Sequence, residues 1–173
     1  GLAEAPGLPA ALRERLGGTP LLSMTREALK VSADGLARKA VMRLFDGRRI
    51  ETVLMEPRPG RWTACISTQV GCAMGCTFCA TGLMGFARNL SSEEITDQVL
   101  FWMQECRRLG IETPAAAPRV GNVVYMGMGE PFLNLEAVFD SLRRLTDRAQ
   151  IGLGPRRISV STVVVCSVPE IVF

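Results

Sequence analysis

The chain has 173 residues, 47% of them hydrophobic, and a net charge of +3. This length suits one domain, and the apolar content is enough for a packed core, which excludes a disordered tail. No stretch reaches the roughly 18 uninterrupted apolar residues of a membrane span, and the first residues lack the basic start and apolar core of a secretion signal. We expect a cytoplasmic protein without a membrane partner. Its six cysteines include a tight cluster, which favours metal binding over disulfides.

The first third of the chain predicts a basic hairpin behind an irregular start. Residues 1–35 carry scattered prolines and paired glycines around one short helical candidate, "ALRERL", which is typical of a truncated N-terminal region. The β-prone runs "AVMRLF" and "RRIETVLM" follow, joined by Asp46-Gly47, a dipeptide that favours a tight turn. The span 36–61 holds seven Lys or Arg against three Asp or Glu. We predict a basic β-hairpin over 36–60 that forms either a nucleic-acid face or a solvated surface.

The rest of the chain alternates strands and helices. "TACIST" predicts a buried strand, and a helix begins with a capping box of Ser91 and Glu94 and ends at Gly110. A strand, a helix and a strand follow, over "NVVYMG", "LEAVFDSLRRLTDR" and "RISVSTVVV". This order is typical of right-handed βαβ units and predicts an α/β fold, with functional loops at the carboxyl ends of the strands.

A cysteine-rich loop, "GCAMGCTFCATG", follows the first of these strands and places Cys72, Cys76 and Cys79 within eight residues. A structural zinc site takes four ligands, and histidine is absent, so a fourth would be another cysteine or a carboxylate. An iron–sulfur cubane normally takes four thiolates, and three leave one iron open to a substrate or cofactor. The loop therefore indicates an open cluster, with a zinc site and plain buried cysteines as the alternatives.

A second motif, "YMGMGEP", ends the next strand. Its glycines allow close approach of the backbone, and Glu130 offers a carboxylate that accepts hydrogen bonds from an ammonium group. The cysteine spacing, with Phe78 before the last cysteine, resembles the signature of radical S-adenosylmethionine enzymes. In that class the open iron binds the cofactor and the Gly-Glu-Pro element binds its amino group. Phe78 is itself expected to pack in the core.

Four segments together resemble the RlmN/Cfr dual-specificity RNA methyltransferases: "RIETVLM", "CISTQVGCAMGCTFCATGLMGFARNL", "NVVYMGMGEPFLN" and "RRISVST". The resemblance implies a partial radical S-adenosylmethionine (β/α) barrel over 61–173, behind the hairpin of 36–60 and the truncated region of 1–35. It implies methyl transfer to an adenine of 23S rRNA, at carbon 2 for RlmN, which also treats some tRNAs, and at carbon 8 for Cfr.

The resemblance also assigns site residues and partners. It makes Cys72, Cys76 and Cys79 the ligands of a 4Fe–4S cluster, places Gly129, Glu130 and Ser161 at S-adenosylmethionine, and makes Glu51 the proton acceptor. It further implies an electron donor such as flavodoxin and a monomer at full length. From the residues alone, Glu51 would face solvent on a strand, and Ser161 would hydrogen-bond to the backbone.

The sequence departs from the family pattern in two places. After "SVSTV" the family continues with a glycine, whereas "VVCS" stands here. In the family, a cysteine near the C-terminus first carries the methyl group, and later strands complete the cofactor site. The chain stops before both, so we expect a fragment that does not methylate RNA by itself. Cys166 is a weak substitute for the methyl-carrying cysteine. Two other classes of protein remain as alternatives: an iron–sulfur electron-transfer module and a zinc-stabilised RNA-binding domain.

Overall fold

The computed structural model describes residues 7, 9–18, 20–110 and 120–163. A short helix precedes four consecutive strands: α1 (Ala10–Leu16), β1 (Met24–Val31), β2 (Ala37–Leu44), β3 (Arg49–Arg58) and β4 (Arg61–Cys65). The chain continues through β5 (Gln69–Gly71), α2 (Ala80–Leu83), β6 (Phe86–Asn89), α3 (Ser92–Arg108), β7 (Asn122–Tyr125), α4 (Leu135–Thr146) and β8 (Ile158–Val160). Single turns of 3-10 helix lie at Pro131–Asn134 and Pro155–Arg157.

A six-stranded sheet in the order β1-β2-β3-β4-β7-β8 forms the body of the described chain. Its first four strands pair antiparallel, whereas β4, β7 and β8 pair parallel. The parallel strands are joined through α3 and α4, as a parallel pair requires a crossover. The sheet confirms the predicted α/β class. It also brings the carboxyl ends of β4, β7 and β8 to one edge, from which the candidate functional loops emerge.

The predicted hairpin is present as β2 and β3, which pair from Ala37↔Met55 to Arg43↔Arg49 around the turn at Asp46-Gly47. One strand differs from the expectation of an irregular start: β1 pairs with β2 from Met24↔Leu44 to Val31↔Arg38. Only Met24 of β1 is buried, so the strand lacks the alternation of apolar and polar residues that marks a half-buried strand in sequence. The division at residues 35 and 60 stays a prediction.

Helix α3 is the main helical contribution to the core. Its N-terminus carries the predicted capping box, in which the Ser91 side chain accepts from the Glu94 N–H and the Glu94 carboxylate accepts from the Ser91 N–H. Trp102 is fully buried, and its indole N–H donates to the Thr52 hydroxyl on β3 at 3.0 Å. Burial of the aromatic ring with its polar end satisfied fixes the helix against the sheet.

A second, small hairpin was not predicted: β5 and β6 pair antiparallel on either side of the cysteine loop. At the other end, the predicted strand "RISVSTVVV" is formed by Ile158–Val160, while its last residues and Cys166 lie outside the described residues. Within the described ranges, none of the helices combines the length and the apolar character needed to span a membrane.

Candidate cofactor and metal site

The cysteine loop closes on itself between β5 and β6. The Cys72 N–H donates to the Gly85 carbonyl at 3.0 Å, and the Cys79 N–H donates to the Cys76 carbonyl at 3.1 Å. Gly71, which opens the loop, has φ +76°, and a Cβ there would lie 1.8 Å from the Gly85 carbonyl oxygen. Only glycine lets the two ends of the loop approach this closely. The backbone therefore holds the three cysteines on one compact turn.

The three thiols of this loop are partly exposed and form no disulfide. The pKa of Cys79 lies below its ordinary value because the backbone N–H groups of Gly82 and Thr81 hydrogen-bond to its sulfur. Thiolates are the ligands that iron–sulfur clusters take, so the donor set fits such a cluster. No group of three or more Cys, Asp or Glu side chains in the described ranges is placed so that it could hold a metal ion. Binding would require the three side chains to turn toward one point.

Two further described cysteines lie apart from this loop. Cys65 at the end of β4 and Cys106 in α3 are both buried. Burial raises the pKa of the Cys65 thiol, against a smaller opposing effect of a backbone hydrogen bond from Met126. The Cys65 thiol therefore packs as a small apolar side chain.

The Gly-Glu-Pro loop after β7 lies directly against the segment that leads into the cysteine loop. The N–H groups of Thr68 and Gln69 donate to the Met128 carbonyl at 2.8 and 3.2 Å. Gly129 has φ +101°, and a Cβ there would lie 2.6 Å from the Gln69 side chain. The next residue, Glu130, donates its backbone N–H to the Gln69 side-chain oxygen at 3.0 Å. The Gly-Glu-Pro loop and the segment that leads into the cysteine loop are therefore neighbours, although Gln69 and Glu130 are 61 positions apart in sequence.

The Glu130 side chain is 4% exposed and is held by its own chain. One carboxylate oxygen accepts from the Phe132 N–H at 3.0 Å and from the Thr162 hydroxyl at 2.5 Å, and the other accepts from the Val163 N–H at 3.1 Å. These bonds tie the Gly-Glu-Pro loop to the residues just after β8. Ser161, which precedes them, is exposed. The structure thus brings Glu130 and the Ser161 segment together.

Glu51 lies on β3 with its side chain 46% exposed, paired to the Lys39 ammonium at 2.9 Å. Its backbone reaches the other site elements. The Glu51 N–H donates to the Met128 sulfur at 3.2 Å, and the Glu51 carbonyl accepts from the Ser67 hydroxyl at 2.6 Å. The exposed carboxylate matches the expectation from the strand pattern, and its backbone contact places β3 beside the Gly-Glu-Pro loop.

Two residues of this region were missed by reasoning from sequence. Ser67 and Gln69 are buried polar side chains in "CISTQVG", and both bond to the Gly-Glu-Pro loop. Their signal is a polar run that continues a buried strand into the cysteine loop.

One expectation is wrong: Phe78 is 91% exposed, so it does not pack in the core.

The comparisons with known proteins agree with the described fold. No family model matches the chain. A solved structure of a radical SAM methyltransferase from Sphaerobacter thermophilus is similar, with 44% identity and a TM-score of 0.80, over 90% of this chain and 44% of that one. The described fold therefore matches part of the fold of that radical SAM methyltransferase, which confirms the predicted partial barrel.

Curated relatives point to one kind of protein within this class. Proteins named "Probable dual-specificity RNA methyltransferase RlmN" from Chloroflexus aurantiacus and Thermobifida fusca are 48% and 47% identical to this chain, over 90% and 93% of its length. Over nearly all of its own length, the chain is therefore similar to part of these RlmN proteins. It spans less than half of each relative, 41% and 44% of their respective lengths.

Proposed function

We propose that this chain is part of a radical S-adenosylmethionine RNA methyltransferase that acts on carbon 2 of an adenine in 23S rRNA, with some tRNAs as further substrates. The observation that carries the proposal is the packing of the segment that leads into the cysteine loop against the Gly-Glu-Pro loop. This segment contacts the Gly-Glu-Pro loop through Gln69 and Met128, beyond the carboxyl ends of neighbouring parallel strands. Ligand sites of parallel α/β folds form at this edge.

The cysteine loop would hold the metal. Its three thiols would take three irons of a 4Fe–4S cluster, and the fourth iron would be open to the amino and carboxylate groups of S-adenosylmethionine. Cluster and cofactor together supply a carbon-centred radical, which an aromatic C–H bond requires because no side-chain base deprotonates it. The residues proposed as cluster ligands are Cys72, Cys76 and Cys79.

The Gly-Glu-Pro loop would orient the cofactor. A carboxylate has about four acceptor positions, and the chain's own donors use three of those on Glu130. The position that remains suits the ammonium group of S-adenosylmethionine. Gly129 leaves the backbone accessible there, and the exposed Ser161 hydroxyl next to the Glu130 contacts would supply a further hydrogen bond.

Glu51 would act on the RNA. Its half-exposed carboxylate, held by Lys39, is a proton acceptor in the role that the family resemblance assigns to it. The basic hairpin on which both residues lie would face RNA, whose phosphates attract Lys and Arg side chains. The partner proposed with this activity is an electron donor such as flavodoxin. The full-length protein is proposed to be a monomer.

The experiment that tests this proposal is anaerobic reconstitution of the chain with iron and sulfide, followed by iron, sulfide and zinc analysis. We expect about four irons and four sulfides per chain. Cys72→Ala, Cys76→Ala and Cys79→Ala should each lose the cluster, because three thiolates leave none to spare. Cys106→Ala is the matched control and should keep its iron, because this cysteine is buried in α3.

Other outcomes of the same analysis identify the rival classes. Stoichiometric zinc without sulfide would indicate a structural zinc site. A cluster that survives loss of one loop cysteine, or that is lost in Cys106→Ala, would overturn the ligand assignment. A full cluster whose spectrum ignores S-adenosylmethionine would favour electron transfer.

A further inference from the structure

Ser67 occupies the point where three strands separate. The β3–β4 ladder ends at Val53↔Cys65, and the β4–β7 ladder ends at Cys65↔Val124. Beyond these pairs the Ser67 hydroxyl connects the separating elements. It donates to the Glu51 carbonyl at 2.6 Å and accepts from the Met128 N–H at 2.9 Å. A hydroxyl both donates and accepts, so one side chain joins the two flanking elements.

The backbone of Ser67 is also fixed. Its N–H donates to the Gln98 side-chain oxygen at 2.8 Å, and its carbonyl accepts from the Gln98 amide at 2.9 Å. Both residues are fully buried. A buried polar group whose bonds are all satisfied is rigid, because leaving any of them unmade is costly. Helix α3 therefore sets the position of Ser67.

Gln69 repeats this arrangement two residues later. Its side-chain oxygen accepts from the Glu130 N–H at 3.0 Å, and its amide donates to the Asn89 side chain at 2.8 Å. Asn89 ends β6, just after the cysteine loop. One buried amide thus connects the Gly-Glu-Pro loop to the return of the cysteine loop.

We propose that Ser67 and Gln69 are positioning residues, which fix the Gly-Glu-Pro loop relative to both the Glu51 strand and the cysteine loop. The inference rests on the proposed function, because those three elements are its site. Neither side chain is assigned a contact with cofactor or RNA; each acts through the backbone that it holds. Loss of either should therefore loosen cofactor binding and leave the cluster ligands in place.

The test compares Ser67→Ala with Ser141→Ala in the reconstituted chain. Ser141 is an equally buried serine on α4, bonded to the Tyr125 hydroxyl and the Val138 carbonyl, both at 2.7 Å. We expect equal iron content in both variants. Half-saturation of the spectral response to S-adenosylmethionine should require about tenfold more cofactor in Ser67→Ala, which loses both hydrogen bonds of the hydroxyl, and should be unchanged in Ser141→Ala. Equal responses in the two variants would overturn the proposal.

A second measurement does not depend on the cofactor. Amide hydrogen exchange should be faster at Met128 in Ser67→Ala and at Glu130 in Gln69→Leu, by about tenfold or more, because each N–H loses its acceptor. Unchanged protection at both amides would refute the positioning role. A wild-type chain that ignores S-adenosylmethionine would instead contradict the proposed function, and the exchange result would still decide the role of Ser67 and Gln69.

Discussion

Replacing Arg88 by methionine should destabilise the fold more than any surface charge replacement. The Arg88 guanidinium lies on β6 and joins three parts of the chain. It contacts both Glu94 carboxylate oxygens, at 2.7 and 2.9 Å, and Asp46 in the hairpin turn at 2.7 Å. It also lies over the Phe45 ring, 5.2 Å from the centroid. These contacts fasten the strand after the cysteine loop to the hairpin and to α3.

The expected loss in the free energy of unfolding follows from the burial of the Arg88–Glu94 ion pair. The Glu94 side chain is 2% exposed and Arg88 is 26% exposed. Removing one partner of a buried ion pair costs about 3–5 kcal/mol, since the other charge is left in a site without water. Partial access of water to Arg88 reduces this, and Glu94 keeps its bond from the Ser91 N–H at the positive end of α3. We expect a loss of about 2.5 kcal/mol, which lowers Tm by about 5–10 °C in a chain of this size.

The assay is urea denaturation followed by tryptophan fluorescence and circular dichroism. Arg144→Met is the matched control, because Arg144 pairs with Glu93 and both side chains are exposed. This control should change stability by less than about 0.5 kcal/mol. In the double variant Arg88→Met/Glu94→Gln the buried charge is gone while the amide preserves the helix cap, so part of the lost stability should return.

The result that would refute this reasoning is a loss in Arg88→Met no larger than that in Arg144→Met. A double variant less stable than Arg88→Met would also contradict it, because the cost would then not come from the uncompensated Glu94 charge. Salt offers a further check: the contribution of the buried pair should persist at ionic strengths that screen the exposed pair.

Two further predictions concern the site loops. Gly129→Ala should cost about 3 kcal/mol, because strain at its positive φ adds to a clash with Gln69; Gly60→Ala, with similar φ and open space, should cost about 1 kcal/mol in the same denaturation assay. Equal losses would exclude the clash. In metal-free chain at neutral pH, iodoacetamide should label Cys79, whose pKa is lowered by backbone hydrogen bonds, well before Cys65, whose pKa burial raises. The advantage should shrink as the pH rises and other thiols ionise; peptide mass spectrometry that finds Cys65 labelled first would contradict it.

The elements predicted from sequence are those with strong local signals. Asp46-Gly47 between two β-prone runs specifies the β2–β3 hairpin, and Ser91 with Glu94 specifies the start of α3. The strand β1 and the β5–β6 hairpin carry no such signal. Most of β1 is not buried, and the two short strands of the hairpin pair across the cysteine loop, so only tertiary structure defines them.

The same distinction applies to the site. Spacing alone singles out the cysteine loop, and the glycines mark a close approach, because both features reflect local chemistry. The burial of Glu130 and the bridging role of Ser67 depend on partners 16 to 61 positions away, which no local pattern encodes. Phe78 was expected in the core from its apolar character, yet its position on the closed loop leaves it exposed.

The most direct test of the central claim is the electron paramagnetic resonance spectrum of the reduced, reconstituted chain, recorded with and without S-adenosylmethionine. If Cys72, Cys76 and Cys79 hold a cluster with one open iron beside the Gly-Glu-Pro loop, the cofactor should change the spectrum, and Cys106→Ala should respond as the wild type does. A cluster spectrum identical in the presence and absence of saturating cofactor would contradict the claim.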